Sequence, residues 1–301
     1  MKKNDGAVTV KQSITQKEWF WGYTFLMPVI IGFLIFTLIP VCMSLYYSFT
    51  EYDGISKPIF IGLENYSSLM KNEDFLLSLK NTLVFTIWTV PVGAFLSLLC
   101  AELLNTDIIG KKIYRSIIFI PNIVSYVAVA MVWQWLYNED YGLINSLLGS
   151  LGLYQPPWLT STEWAMPSVI IMTIWKNLGF NMIIFLAGLQ GISTSYYEAA
   201  YIDGASTLQR FFHITVPLLK NTTLFVIVTS MIGAFQTFDQ IYLLTAGGPN
   251  RATQVVVYLI YMNAFQYFKQ GYASAMSCIL FVIIFAATLL QFKLNNQQEL
   301  N

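Results

Sequence analysis

Six long runs almost free of charged residues fix what this chain can become. The first, 20–49, holds no Asp, Glu, Lys or Arg over thirty positions, and others follow at 82–101, 116–138, 164–192, 222–244 and 272–292. Each reaches the ~20 residues needed to cross the hydrocarbon core of a bilayer. Lipid offers the backbone no hydrogen-bond partner, so such runs cross as helices, whose N–H and C=O groups satisfy one another. The expected fold is an all-α membrane protein with six transmembrane helices. Composition agrees: 56% of residues are apolar and 11% charged, with a mean hydropathy of +0.58. The run 20–49 is too long for the core of a signal peptide and lacks a small-residue cleavage site, so it is expected to stay as the first span. Pro28 and Pro40 are places where it can kink.

Net charge is zero, which gives no basic excess for a nucleic acid; the placement of Lys and Arg matters instead. With the N-terminus inside, cytoplasmic segments carry ten: Lys2, Lys3, Lys11, Lys17, Lys111, Lys112, Arg115, Arg210, Lys220 and Lys293. Outer segments carry five, Lys57, Lys71, Lys80, Arg251 and Lys269, and Lys176 lies within a span. The positive-inside rule then puts both termini in the cytoplasm. The chain divides into a polar cytoplasmic tail, 1–18, a six-span unit, 19–293, and a second cytoplasmic tail, 294–301. Between spans, 50–81 reads as a solvated connector. The stretch 139–163 reads as a short interfacial helix around Leu143, Leu147, Leu148 and Leu151, followed by a bend at Pro156-Pro157-Trp158.

One polar interruption, 193–220, has too many helix signals for a plain turn. Ser195 stands three residues before Glu198, and Ser206 three before Gln209, the spacing of a capping box in each half. Gly204 falls where the first half must stop, because glycine alone enters the left-handed region without a Cβ penalty. Pro217 re-aims the chain into the next span. An amphipathic helix lying on the membrane surface is the plainer alternative.

Glu198, Ala199, Ala200, Asp203, Gly204, Ala205, Ile214 and Pro217 together resemble the EAA loop of ABC importer permeases, with Val216 where that pattern has Leu. The resemblance extends to FIGLENY at 60–66, WQWLYNEDYGLIN at 133–145, FLAGLQGI at 185–192, FDQIYLLTAGGP at 238–249 and GYASAMS at 271–277. These are similar to carbohydrate-type permeases, in particular the first permease subunit of maltose-like importers. The resemblance implies a type I ABC importer permease fold in a bacterial or archaeal cell membrane. It also implies a coupling loop docked on an ABC ATPase dimer, a second homologous permease, an extracytoplasmic sugar-binding protein and a sugar substrate. ATP and Mg would be bound by the ATPase, with no cofactor in this chain. The larger maltose permease differs in having extra N-terminal spans and a large external domain.

The residues themselves give catalysis little support. His213 is the one histidine, without a Ser/His/Asp set or metal spacing around it, and no GxxxxGK[ST] phosphate loop occurs. Cys42, Cys100 and Cys278 read as small core hydrophobes. Transport needs polar groups inside a span, since a solute losing water must find replacement hydrogen bonds. Two stripes qualify: Asn177 and Asn181 with Trp175, Gly179 and Phe180, and Thr229, Gly233, Gln236 and Gln240 with Thr237 and Asp239. Amides and carboxylates bond sugar hydroxyls while aromatic faces cover C–H surface; the same amides would equally serve as glue between helices. Lys176 and Asp239, the two charges inside spans, are expected at similar depth and to form an intramembrane ion pair beside the path. An ion-coupled secondary transporter and a non-transporting scaffold are the competing classes, and the paired caps of 193–220 argue against both.

Overall fold

A computed structural model describes residues 9–106 and 108–297; residues 1–8 and 298–301 of the expected tails lie outside it. The first run is helical throughout: α1 (Thr9–Phe33) passes through a π-helical turn at Leu34–Leu38 into α2 (Ile39–Tyr47). Pro40 accounts for the wide turn, since its ring clashes with the carbonyl four residues back, at Phe36, and it has no N–H to offer. The chain is already helical at Thr9, within the expected tail 1–18. No Gly or Pro stands between Thr9 and Gly22 to stop a nucleated helix from growing outward. Cys42 is exposed on α2, so of the three cysteines only Cys100 and Cys278 are partly buried.

Outside α2, β1 (Thr50–Glu51) pairs antiparallel with β2 (Ile59–Phe60). The turn between them is set by Asp53, whose carboxylate accepts from the backbone N–H of Ile55 and Ser56 and from the Ser56 hydroxyl, holding its pKa down to about 2. FIGLENY then proves to be an anchor. In α3 (Glu64–Leu69), Asn65 donates to the carbonyls of Ser48 and Thr50 at 3.0 and 2.9 Å, and the Tyr66 hydroxyl bonds Ser48 Oγ at 2.7 Å.

The helix α4 (Glu73–Asn105) is longer than the expected span 82–101. Asn72 caps it, accepting from Phe75 N at 2.9 Å, and Glu73 and Asp74 favour the positive end of its dipole. The run 116–138 is not one helix. α5 (Lys111–Ile123) and α6 (Tyr126–Leu136) meet at 100°. Pro121 precedes the break, and Ser125 restarts the helix by accepting from Ala128 N. α7 (Leu143–Ser150) is the short helix expected in 139–163. Asn145 holds the following bend, donating to Pro156 O at 3.2 Å and accepting from Trp158 Nε1 at 2.8 Å.

α8 (Ala165–Gln190) matches its run closely. Then come α9 (Thr194–Ile202), α10 (Thr207–Arg210), a π-helical turn at Phe211–Thr215, α11 (Val216–Leu218) and α12 (Lys220–Phe235). The second π turn also directly precedes a proline, Pro217. The run 222–244 breaks after Phe235, and α13 (Asp239–Leu244) follows, held to α6 by Gln134 Nε2 donating to Leu243 O at 2.7 Å. The glycine-rich end of FDQIYLLTAGGP leads into a loop lashed to α4. Asn81 donates to the carbonyls of Arg251 and Gln254, each at 3.0 Å; Gln254 Nε2 donates to Ser78 Oγ, and Arg251 pairs with Asp74. α14 (Val256–Tyr261), a third π turn at Met262–Gln266 and α15 (Gln270–Gln297) complete the chain.

Four helices can cross a membrane unaided, and two bent pairs raise the number to six. The apolar window of Trp19–Tyr47 is 0% buried within the chain, against 44% for Glu73–Asn105 and 56% for Ala165–Gln190, so α4 and α8 form the centre and α1–α2 the edge. Their interior is two apolar clusters: one around Phe85, Met172, Phe235 and Met276, the other around Leu98, Met182, Phe185 and Leu219. Gly179 lets α5 lie against α8, since a Cβ there would stand 2.2 Å from Ile118 O.

Lys176 is where the structure overturns an expectation. It does not pair with Asp239. Its ammonium, 3% exposed, donates to Pro121 O at 3.0 Å and Val124 O at 2.8 Å, with Asn122 O at 3.5 Å, and sits 4.4 Å from the centre of the Tyr126 ring. The depth argument for a pair assumed one continuous helix from Thr222 to Asp239, and that helix ends at Phe235. The last carbonyls of α5 have no donor of their own and no water to turn to, so a cation at this negative helix end meets both needs. Lys176→Met should therefore lower stability by about 2–6 kcal/mol, from roughly 1–3 for each of the two closest stranded carbonyls, read as thermal melting of the purified protein. Asp239→Asn should melt like the wild type, and exchanging the two charges should rescue nothing.

Candidate functional site: an inner cavity and an exposed two-helix loop

A cavity of about 220 Å³ opens between the two apolar clusters, where α4, α6, α8 and α12 stop packing against one another. α4 brings Phe85, Thr89 and Gly93 to its wall, α6 brings Tyr126, and α8 brings Thr173, Asn177, Phe180 and Asn181. α12 adds Thr229, Ser230 and Gly233, and α13 adds Gln240. Asn181 Nδ2 donates to Ser230 Oγ at 3.2 Å, joining α8 to α12. Tyr126 and Asn177 both face the cavity, and the Tyr126 ring also covers the Lys176 ammonium. The wall is thus amides, hydroxyls and aromatic rings, with Lys176 behind Tyr126 and committed to the carbonyls of α5.

Of the residues expected along a substrate path, Asn177, Phe180, Asn181, Thr229, Gly233 and Gln240 come together here. The others do not line this cavity. Trp175 packs edge-on against Trp133 at 5.4 Å, and Gly179 is taken up by the contact with α5. Gln236 opens on a separate groove between α12 and α15, beside Phe281 and Ile284. Thr237 is buried at the break after α12 with its hydroxyl unpartnered, and Asp239 is exposed at the start of α13. Sequence reasoning missed α4. Its signal was present: Ser78, Thr82, Thr86, Thr89, Gly93 and Ser97 recur at steps of three and four, one face of a helix, inside a run read only as a span.

The loop 193–220 folds as two short limbs. α9 ends in a Schellman turn: Ala205 N donates to Ala200 O at 2.9 Å, Gly204 N to Tyr201 O at 3.1 Å, and Gly204 has φ +76°. Ser206 and Gln209 form the expected capping box. The box expected at Ser195 and Glu198 is absent. The helix starts two residues early, with Ser193 at the cap position and Ser195 in the first turn, where its hydroxyl meets that of Ser193 at 2.8 Å. The limbs are joined by the Tyr197 hydroxyl and Thr215 Oγ1, 3.0 Å apart, and Lys220 Nζ ties their base to α15 through Asn295 O at 2.8 Å.

Glu198, Ala199, Asp203, Gly204 and Pro217 are exposed; Ala200, Ala205 and Ile214 are half-buried. Beside them Tyr201, Ile202 and Leu208 are 72%, 83% and 68% exposed, a cluster of apolar side chains that marks a contact surface. His213 is exposed and bonds Gln209 O through Nδ1. Among the described residues no group of three His, Cys, Asp or Glu could hold a metal ion.

A polar chamber among broken apolar helices, with a stiff exposed loop at one end, defines a membrane transport subunit. The chain belongs to the family of inner membrane components of binding-protein-dependent transport systems, whose profile matches residues 82–298, and is a multi-pass ABC importer permease rather than an enzyme. It is 40% identical to the probable ABC transporter permease protein YesP of Bacillus subtilis (strain 168), over 96% of this chain and 95% of that one. Identity is 34% to the trehalose/maltose transport system permease protein MalF of Thermococcus litoralis, covering 90% of this chain and 92% of the relative. The crystal structure of a bacterial ABC transporter involved in the import of the acidic polysaccharide alginate superposes with a TM-score of 0.81 at 26% identity, covering 95% and 98% of the two chains.

No atom lies within 4 Å of a Cβ built on Gly204, so the cost of a side chain there is conformational alone. Gly204→Val should cost about 1–2 kcal/mol locally, and Gly204→Asn, which tolerates the left-handed region, much less. Hydrogen exchange should show faster amide exchange across 200–210 in the Val variant and little change in the Asn variant.

Proposed function

We propose that this chain is the permease subunit of an ATP-driven carbohydrate importer, and that the cavity shared by α4, α6, α8 and α12 is its half of the sugar path. The observation that carries this reading is the cavity wall itself. Asn177, Asn181, Gln240, Thr89 and Ser230 offer donors and acceptors, with Tyr126, Phe180 and Phe85 as ring faces. A solute covered in hydroxyls and C–H edges is matched by that mixture. At ~30 Å³ per water the space equals about seven waters, which suits one sugar ring at a time. The trehalose/maltose relative supports the substrate class.

The loop carrying Glu198, Ala199, Ala200, Asp203, Gly204, Ala205, Ile214 and Pro217 faces the cytoplasm in this reading, as the ten-to-five basic bias supports. There it docks on an ABC ATPase dimer, which binds ATP and Mg. Tyr201, Ile202 and Leu208 supply buried contact, and Glu198 a polar one at the rim. Both termini are cytoplasmic. A second homologous permease forms the other half of the path, lipid and that permease cover α1 and α2, and an extracytoplasmic sugar-binding protein delivers the solute. Family membership sets the ion-coupled alternative aside.

The test is ATP hydrolysis in vesicles holding both permeases, the ATPase and the binding protein, screened against neutral and acidic saccharides. Stimulation by a saccharide, matched by its uptake, is expected; uptake driven by an ion gradient without ATP would refute the reading. Glu198→Gln keeps the shape of the side chain and removes the charge. It should weaken co-purification of the ATPase while leaving the permease in the membrane.

A further inference from the structure

A hydroxyl on a membrane helix has a ready partner in the carbonyl one turn back. Thr82, Thr86, Thr173 and Thr229 each take it at 2.8 Å. Thr89 does not. It is 8% exposed, its Oγ1 is buried without a hydrogen-bond partner, and its side chain forms part of the cavity wall. It is also the position where the hydroxyl stripe of α4 reaches the chamber: Thr86, one turn away on the same face, is spent on Thr82 O and does not line it.

A buried hydroxyl left unpaired is a standing cost that the neighbouring threonines avoid. Two accounts compete. Thr89 is either a tolerated packing defect or a group held ready for a partner that arrives from the cavity. The place favours the second. Asn177 and Asn181 on α8 and Ser230 on α12 line the same chamber as Thr89. Of these, Asn181 and Ser230 already bond each other. The amides and the Ser230 hydroxyl come from α8, α12 and α13; a hydroxyl from Thr89 adds a polar contact from α4. Threonine suits such a contact because its hydroxyl both donates and accepts, so a sugar hydroxyl meets it in either role. A rotation about χ1 exchanges Oγ1 with the methyl group and brings the oxygen to the chamber.

We propose that Thr89 is a solute-contacting residue of this permease, its hydroxyl bonding a hydroxyl of the passing sugar and making α4 a further polar wall of the path. This rests on the sugar reading above and adds a residue to it. The contact forms in the chamber, after capture by the binding protein, so its loss falls on the maximal rate rather than on the concentration at half-saturation.

The experiment uses the full complex in vesicles, with uptake of radiolabelled maltose, trehalose and raffinose and the melting temperature of the same preparation. Thr89→Val has nearly the same shape without the hydroxyl. Expected is a fall of about 3- to 10-fold in maximal uptake of the sugar that the wild type moves fastest, with melting unchanged or raised, because an unpaired buried hydroxyl is gone. Thr89→Ser should keep at least half the rate, and Thr86→Val should transport normally. Wild-type uptake by Thr89→Val would make the hydroxyl a packing defect and overturn the proposal. So would a loss of uptake that follows a lowered melting temperature, since that is a fold effect. A wild-type complex that hydrolyses ATP but moves none of these three sugars, nor any neutral or acidic saccharide of the screen above, would refute the sugar reading and this inference with it.

Discussion

The ammonium of Lys176 decides the shape of the interior, because it supplies donors to the C-terminal carbonyls of α5 that the helix itself cannot. In water, a helix that ends between Ile123 and Ser125 would leave its carbonyls to solvent. Within a bilayer each open carbonyl is a loss, so a break is tolerated only where the chain supplies its own hydrogen bonds. Lys176 supplies them from α8 and so fixes the 100° corner between α5 and α6. That corner brings Tyr126 to the cavity that Asn177 also lines, which puts an aromatic ring and an amide on the same wall. Other interruptions use the same logic at lower cost. Both π-helical turns that precede a proline absorb its missing N–H, and the Schellman turn at Gly204 closes the end of α9 on itself.

How far the sequence could be read follows from which forces act locally. Charge-free length is a property of each run alone, so the spans near 164–192 and 272–292 were legible to within a few residues at most ends. Gly204 and the Ser206–Gln209 box were legible because turn and cap chemistry spans only a few residues. The breaks were not. The run 116–138 reads as one span despite Pro121, and what stabilises the break comes from Lys176, 55 residues away. The pairing of Lys176 with Asp239 looked compelling because opposite charges at one depth attract. It failed because backbone carbonyls are acceptors that a list of side chains leaves out. The α4 wall was missed for the reverse reason: threonine and glycine in an apolar run look like ordinary span residues until a cavity gives them a face.

Several motifs that carry the family resemblance turn out to hold the outer architecture together. Asn65 and Tyr66 of FIGLENY fasten the first connector to the end of α2, and the loop after FDQIYLLTAGGP is bound to α4 through Asn81, Ser78 and Asp74. Asn145 and Trp158 clamp the bend after α7, with the Trp158 ring stacked on Tyr137 at 5.1 Å. In this chain these stretches serve as framework. On the sugar path proposed above, solute preference would fall to the side chains at the cavity, and the chain's relatives do carry such different named cargoes as alginate and trehalose.

The chamber also divides the packed interior mechanically. On one side the cluster around Phe85, Met172 and Phe235 is dense; on the other, the cluster around Leu98, Phe185 and Leu219 is dense; between them the helices touch mainly through side chains bordering empty space. Close-packed blocks resist compression, so strain collects in the softest layer between them. A torque applied at the loop would enter the second block through Leu219 and the Lys220–Asn295 tie, and the layer it then meets holds the cavity proposed above as the sugar path.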